Sequence, residues 1–540
     1  MKNIFIYALI FALCLTVQTY KIGLIEYQSD QALSFELSKQ ISEFKSFPLE
    51  GIKTSRNFSN SPVTNYILAV PLLIFKNSFI SAAVFINVLN SIAACLLFFV
   101  VMKVTNRLGN SLLIIFFYIF LPSVFLYSRQ GSMLQFYSPL WIFFAYLSLE
   151  NDKTAHYILV SVSYFLLINI NLSGIFLFAG FLYLLYVLFR QSENKIKFAV
   201  VTALIFAVMN IFYFRIFYNQ YGVIAGNNNV NNISYADNFK FFLDLFNLCP
   251  SYISDPLKSG VIEKICFIVS IIIAATFFGG IRFGGKFNSF VSITFISAFA
   301  LYFFSGISIV KHYYLVLTPF AVVLTANFSN FISKNKMAKS TFNVFFSVCI
   351  FFSLIFILFF LSYIDKSKGM RSPGFGIVYS AQRDMANELK KYFAKNNEPL
   401  FITSNLNSFT TLKYSEAAIL RDSGLKFKIE LNEKNLTSRR FILVLNRLDY
   451  DIRIIESFLT NRIIDSDPYY IYEISINDLA ADPHLKKIFN AVNSNWYLNY
   501  ILDDLRMQLV SGRNNTSVKN MYDKISGIEL YEILTNARKK

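Results

Sequence analysis

Long apolar runs alternate with short polar clusters from the N-terminus to about Ile364, and beyond Asp365 charged residues recur every few positions. A helix that crosses a bilayer needs about 20 mostly apolar residues. On that criterion the runs predict spans near 3–19, 78–102, 111–127, 133–149, 157–170, 173–190, 198–215, 261–281, 287–305, 313–332 and 341–364. Asn169, Asn171 and Gly174 divide the 157–190 stretch into two helices joined by a tight turn. The pattern therefore predicts a polytopic α-helical membrane domain of about eleven transmembrane helices over 1–365 and a soluble α/β domain over 366–540.

Two connections are long, about 20–77 and 215–260. The second holds Asn227, Asn228, Asn229, Asn231 and Asn232 and reads as a flexible loop. The first has helical periodicity. Leu33, Leu37, Ile41 and Phe44 recur on one face of a helix that starts near Ser29, which predicts an amphipathic element lying along the membrane surface. In the C-terminal part, Met385, Leu389, Tyr392 and Phe393 predict a helix over 379–394. Strands are expected at 399–403, 440–445 and 469–474, with a connecting helix at 452–459 and mostly helix after Asp478, giving a partly parallel sheet.

Composition sharpens this picture. The 540 residues are 55% hydrophobic with mean hydropathy +0.47, outside the range of ordinary soluble domains. The net charge of +17 does not indicate nucleic acid, because much of the excess sits in short loops between apolar runs. Lys103 and Arg107; Lys153; Arg190, Lys195 and Lys197; Arg282 and Lys286; and Lys334, Lys336 and Lys339 all fall on one side if the N-terminus is cytoplasmic. The positive-inside bias then places the 20–77 loop and the C-terminal domain outside a cytoplasmic (inner) membrane. The first span, which follows Lys2, lacks a small-residue cleavage site and reads as an uncleaved anchor. The five cysteines form no disulfide framework or zinc spacing.

Asp30-Gln31 opens the amphipathic helix, and alone it reads as a cap on a helix N-terminus. Its surroundings add a second reading. Ser61-Pro62 through Tyr66 follows in the same loop, Tyr127-Ser128-Arg129 follows Pro122, and Lys311-His312-Tyr313-Tyr314 precedes Thr318-Pro319. In order and outer location these segments resemble the bacterial dolichyl-phosphate-mannose-protein mannosyltransferase-like family (glycosyltransferase family 39) of the glycosyltransferase C superfamily. The resemblance covers roughly the first 365 residues. It implies transfer of a sugar from a polyprenyl-phosphate donor to an acceptor hydroxyl of unidentified class, by a single inverting displacement. Relatives often have Asp-Glu where this chain has Asp30-Gln31; Glu26, Glu36, Glu43 and Glu50 are the alternative second acids.

That chemistry needs a carboxylate to take the acceptor proton and fixed cations for the charge growing on the departing phosphate. Asp30 is the candidate base. Arg129, Lys311 and His312, at outer ends of spans, are the candidates for the phosphate, with Tyr66 and Glu26 as further substrate-binding candidates and Arg215 a weaker one. Each has a structural alternative: snorkelling to headgroups for Arg129 and Lys311, a hydrogen-bonded interfacial role for His312, and the aromatic belt for Tyr66. Some superfamily members use a divalent cation near the acidic loop; one secure carboxylate here assigns it no ligands. The C-terminal domain holds no phosphate loop or catalytic triad; His484 reads as a surface residue, and Asn435-Leu436-Thr437 is a formal sequon. Rival functions are another polyprenyl-linked glycan polymerase or ligase, a lipid-linked sugar flippase, and a non-enzymatic scaffold. A flippase predicts charges at mid-membrane and an internal repeat, and neither is visible.

Overall fold

The computed structural model of the chain describes residues 2–52, 59–75, 78–129, 137–150, 156–216, 235–250, 260–304, 311–370, 375–395, 401–403, 419–420, 422–425, 440–446 and 462–475. The asparagine run at 227–232, Lys153, the expected helix at 452–459, the sequon at Asn435, the region after Asp478 and His484 lie outside them. Sixteen labelled helices follow in chain order: α1 Lys2–Thr19, α2 Ser29–Ser42, α3 Val63–Ile74, α4 Phe79–Thr105, α5 Leu108–Phe120, α6 Pro122–Ser128, α7 Tyr137–Glu150 and α8 His156–Ile170. Then come α9 Phe178–Gln191, α10 Lys195–Met209, α11 Tyr235–Asp244, α12 Gly260–Gly279, α13 Lys286–Phe304, α14 Thr318–Ile332, α15 Lys336–Ser367 and α16 Tyr379–Lys395. Among the described residues six helical segments are long and apolar enough to cross a membrane, or seven when the bent pair α5–α6 is counted as one span. The chain is a multi-pass membrane protein.

Two units divide the chain. The first comprises Met1–Ile25 and Leu33–Tyr363, the second Glu26–Ala32 and Ile364–Lys540. In the first unit α14 is enclosed on nearly every face, with α4, α5, α12 and α13 packed around it. Trp141 sits at the centre, fully buried, its ring 4.9 Å from that of Tyr164 and 5.1 Å from that of Phe290. Because lipid tails are as apolar as leucine, helices in a bilayer associate by close packing, which small residues permit. A Cβ on Gly280 would stand 1.9 Å from the Leu324 carbonyl oxygen, and one on Gly180 would stand 1.9 Å from Thr294 Oγ1.

The segment expected as one span at 111–127 is broken. The axes of α5 and α6 meet at 55°. Pro122, at the first position of α6, has no N–H to continue the α5 hydrogen-bond ladder, so the chain turns at Leu121. The amphipathic helix stands at Ser29–Ser42, but its most buried stripe is Ala32, Ser34, Phe35, Ser38 and Ile41. Leu33 and Leu37 are half-buried and Phe44 is exposed, so the expected apolar face flanks the packed one. Small Ser34 and Ser38 let the protein approach there, and Asn65 Nδ2 donates to the Ser34 carbonyl at 3.1 Å.

In the second unit, α16 buries Ala381, Met385, Ala386 and Leu389 along one face. Four strands, β1 Phe401–Thr403, β2 Arg440–Asn446, β3 Arg462–Ser466 and β4 Tyr469–Ser475, form a sheet in the order β1-β2-β4-β3. β1 and β2 run parallel, while β4 is antiparallel to both β2 and β3. The hairpin β3–β4 turns at Asp467 and Pro468; β3 carried no strand signal because Arg462, Asp465 and Ser466 leave only two apolar residues in it.

Candidate functional site

Residues Glu26–Ala32 belong to the second unit and are held there by backbone and side chain together. Glu26 forms a bridge with Val378, and the Tyr27 N–H donates to the Ile377 carbonyl at 3.2 Å. Gln382 Nε2 donates to the Tyr27 carbonyl at 2.6 Å, and the Tyr27 and Tyr379 rings meet edge to face at 5.4 Å. The Glu26 carboxylate is buried. Its Oε1 accepts from the Gly376 N–H at 2.9 Å and from Gln28 Nε2. A Cβ at Gly376 would stand 2.3 Å from Gln28 Nε2 and push that side chain aside.

Gln28 is the residue before α2, and its N–H donates to Gln31 Oε1 at 3.1 Å. This is half of a capping box, in which a Gln or Glu at the third helical position satisfies the N-cap N–H. Gln31 therefore does what a glutamate would do at the same place, and the departure from Asp-Glu leaves the helix start intact.

Asp30 occupies the second helical position and does not cap. Among the described residues its carboxylate has neither a hydrogen-bond nor an ion-pair partner, and the residue keeps an exposed face. The protein around it still withholds enough water to push the carboxyl above the ordinary aspartate value.

Arg129 follows α6 in the first unit and is 2% exposed. Nη1 donates to the Gln18 carbonyl at 2.9 Å and to the Tyr20 carbonyl at 2.6 Å, and Nη2 donates to the Lys21 carbonyl at 2.7 Å. These carbonyls belong to the C-terminal end of α1 and the residues just beyond, where helix geometry leaves acceptors unsatisfied. Three of the five guanidinium N–H groups are thus engaged. Among the described residues no carboxylate pairs with it, and burial alone lowers its pKa to about 10, so the group stays charged. It does not snorkel to headgroups.

The remaining candidates divide. The Tyr66 hydroxyl donates to the Pro48 carbonyl at 3.0 Å and its ring stacks on Phe212, so Tyr66 braces the loop. Tyr66 and Arg129 share no hydrogen bond or ring contact. Lys311 and His312 open the 3-10 turn Lys311–Leu317, whose described side chains begin at Tyr313. Among the described residues no group of three or more His, Cys, Asp and Glu side chains is placed to hold a metal ion.

No family model and no curated protein sequence matches the chain. Solved structures do. ArnT from Cupriavidus metallidurans, bound to undecaprenyl phosphate, superposes with a TM-score of 0.51 at 12% identity, over 86% of this chain and 97% of ArnT. The two chains share a fold. The Archaeoglobus fulgidus oligosaccharyltransferase in its apo form aligns over 84% of this chain and 70% of its own, at 11% identity and a TM-score of 0.45.

Sequence reasoning missed Gly376 and Gln382, which hold the segment bearing Asp30. The signal for Gly376 was present: Pro373-Gly374-Phe375-Gly376 follows the last apolar run, and such glycines mark close backbone approaches. Gln382 carried no signal, because a glutamine on a charged helix reads as solvated surface.

Proposed function

We propose that the chain transfers a sugar from a polyprenyl-phosphate donor to an acceptor hydroxyl at the outer face of the cytoplasmic membrane, with Asp30 as the general base. The observation that carries this reading is the state of Asp30: a carboxylate without a partner among the described residues and made more basic by desolvation, on a segment held by backbone and side-chain hydrogen bonds. The fold shared with ArnT, whose bound ligand is undecaprenyl phosphate, supports a polyprenyl carrier as donor.

In the proposed reaction the acceptor oxygen forms a bond to the anomeric carbon while its proton passes to an Asp30 carboxylate oxygen. The bond from the anomeric carbon to the phosphate oxygen breaks, and polyprenyl phosphate leaves with the electron pair. Donors fixed beforehand stabilise that growing charge without reorganising. Arg129 is the proposed principal cation, because its carbonyl bonds hold the fork in place and leave two N–H groups for phosphate oxygens. Lys311 and His312 are proposed to add positive charge. Glu26 and Tyr66 are proposed to brace the loop and not to touch substrate. The reading includes eleven spans, a cytoplasmic N-terminus and an extracytoplasmic domain over 366–540.

The test is sugar transfer by the purified full chain in lipid, with a panel of polyprenyl-phosphate sugars. Turnover with at least one donor is expected. Full turnover by a well-folded Asp30→Asn variant would reject Asp30 as base.

A further inference from the structure

A groove of about 500 Å³ runs between α8, α9 and α10, far in sequence from Asp30 and Arg129. Phe165, Phe181 and Phe198 form its buried floor, and Phe178, Tyr186 and Phe206 stand exposed along its rim. Its lining is apolar apart from Tyr186 and Thr202, and the Thr202 hydroxyl has no hydrogen-bond partner. At one end the lining itself carries cations. Arg190 lies over the Tyr186 ring, 5.3 Å from its centroid, and Lys195 lies over the Phe189 ring at 5.9 Å. Lys197 follows on the same turn, and Glu193 is the one acid there. Among the described residues none of these three cations is paired with a carboxylate.

We propose that this groove is a binding site for an anionic phospholipid of the bilayer. Its acyl chain lies along the phenylalanine floor and its phosphate sits between Arg190 and Lys195. The rings that shape the groove also hold the cations, so one molecule with an apolar tail and an anionic head meets both. A tail already surrounded by lipid gains little by exchanging neighbours, so the head supplies the selectivity. Basic residues at a membrane surface attract anionic lipid, and two of them together favour it over a zwitterionic lipid by about tenfold or more. Arg190 suits a phosphate because its planar fork offers parallel donors. The proposal is independent of the transfer chemistry.

Native mass spectrometry of the purified full chain, titrated with phosphatidylglycerol and phosphatidylcholine of the same acyl length, tests it. Wild type is expected to prefer phosphatidylglycerol about tenfold. The double variant Arg190→Gln/Lys195→Gln should lose that preference. Ala199→Trp, which fills the groove and leaves the cations in place, should lose it as well. Three results would overturn the proposal: equal binding of the two lipids by wild type, a preference that survives in either variant, or undecaprenyl phosphate displacing phosphatidylglycerol at equal concentration. Both variants alter side chains at the lipid-facing surface, and unchanged elution and helicity would confirm that they fold.

Discussion

The segment around Asp30 and the end of α6 around Arg129 both carry an ionised group, yet the two groups are treated in opposite ways. Arg129 is buried and bound to three backbone carbonyls. Asp30 keeps an exposed face and has no partner among the described residues, while its neighbours absorb every structural task. Gln31 caps the helix, Glu26 bonds the Gly376 N–H, and the Tyr27 carbonyl accepts from Gln382. Burial acts on both sites, lowering the arginine to about 10, where it stays charged, and raising the aspartate above its ordinary value. A tied cation is a fixed field; an untied, more basic carboxylate is a group able to move a proton. What separates a reactive candidate from a structural one here is unused hydrogen-bonding capacity, and neither residue type nor position reports it.

The sharpest way to break this contrast is Asp30→Asn. The change keeps size and the helix start, so turnover should fall by about 100- to 10,000-fold, the usual contribution of a general base, with no loss of melting temperature near neutral pH. Arg129→Lys comes next. A compact ammonium does not reach three carbonyls and a phosphate together, so turnover should fall about 100-fold. Thermal unfolding in detergent should also show a loss on the order of 3 kcal/mol. If stability falls and turnover does not, Arg129 is purely structural.

The pH profile follows in size. Asp30 is raised in the folded state, so kcat/KM should fall as pH drops through a value above the ordinary aspartate value of about 3.9. The same shift means that the folded chain holds this proton more tightly than the unfolded one. Its stabilising contribution is therefore full at pH below the unfolded value and is lost as pH rises through the folded value. Asp30→Asn should abolish that dependence. Gly376→Ala is smaller still, because the new Cβ displaces the Gln28 side chain from Glu26; a loss of roughly 1 kcal/mol and a modest fall in turnover at unchanged donor KM are expected. Gln31→Ala should cost about 0.5–1 kcal/mol through the lost cap, readable as a small drop in melting temperature.

How far each feature was legible follows from its range along the chain. The apolar runs announce helices because a span is a local property, about 20 residues of one chemistry. Helices stand in the eleven expected stretches, but among the described residues six segments, or seven with α5–α6 taken as one, are long and apolar enough to cross a membrane. The helix starting at Ser29 was legible for the same reason, though its packed stripe was not: hydropathy points to Leu33 and Leu37, while the protein approaches through Ser34, Phe35 and Ser38. Pro122 was visible as a residue but not as a 55° bend, since proline at that position begins a helix as readily as it kinks one. The roles of Arg129 and Glu26 were beyond reach, because their partners lie 108 to 111 and 350 residues away.

By itself the sequence determined that this chain lives in a membrane, where its helices lie, and that an aspartate opens the amphipathic helix after the first of them. Only the tertiary structure decided which charged groups are engaged and which stand free. Hydrophobic burial is a sum over neighbouring residues and so can be read along the chain. Whether a carboxylate or a guanidinium finds a partner depends on atoms brought within about 3 Å by the fold, and no local pattern encodes that distance.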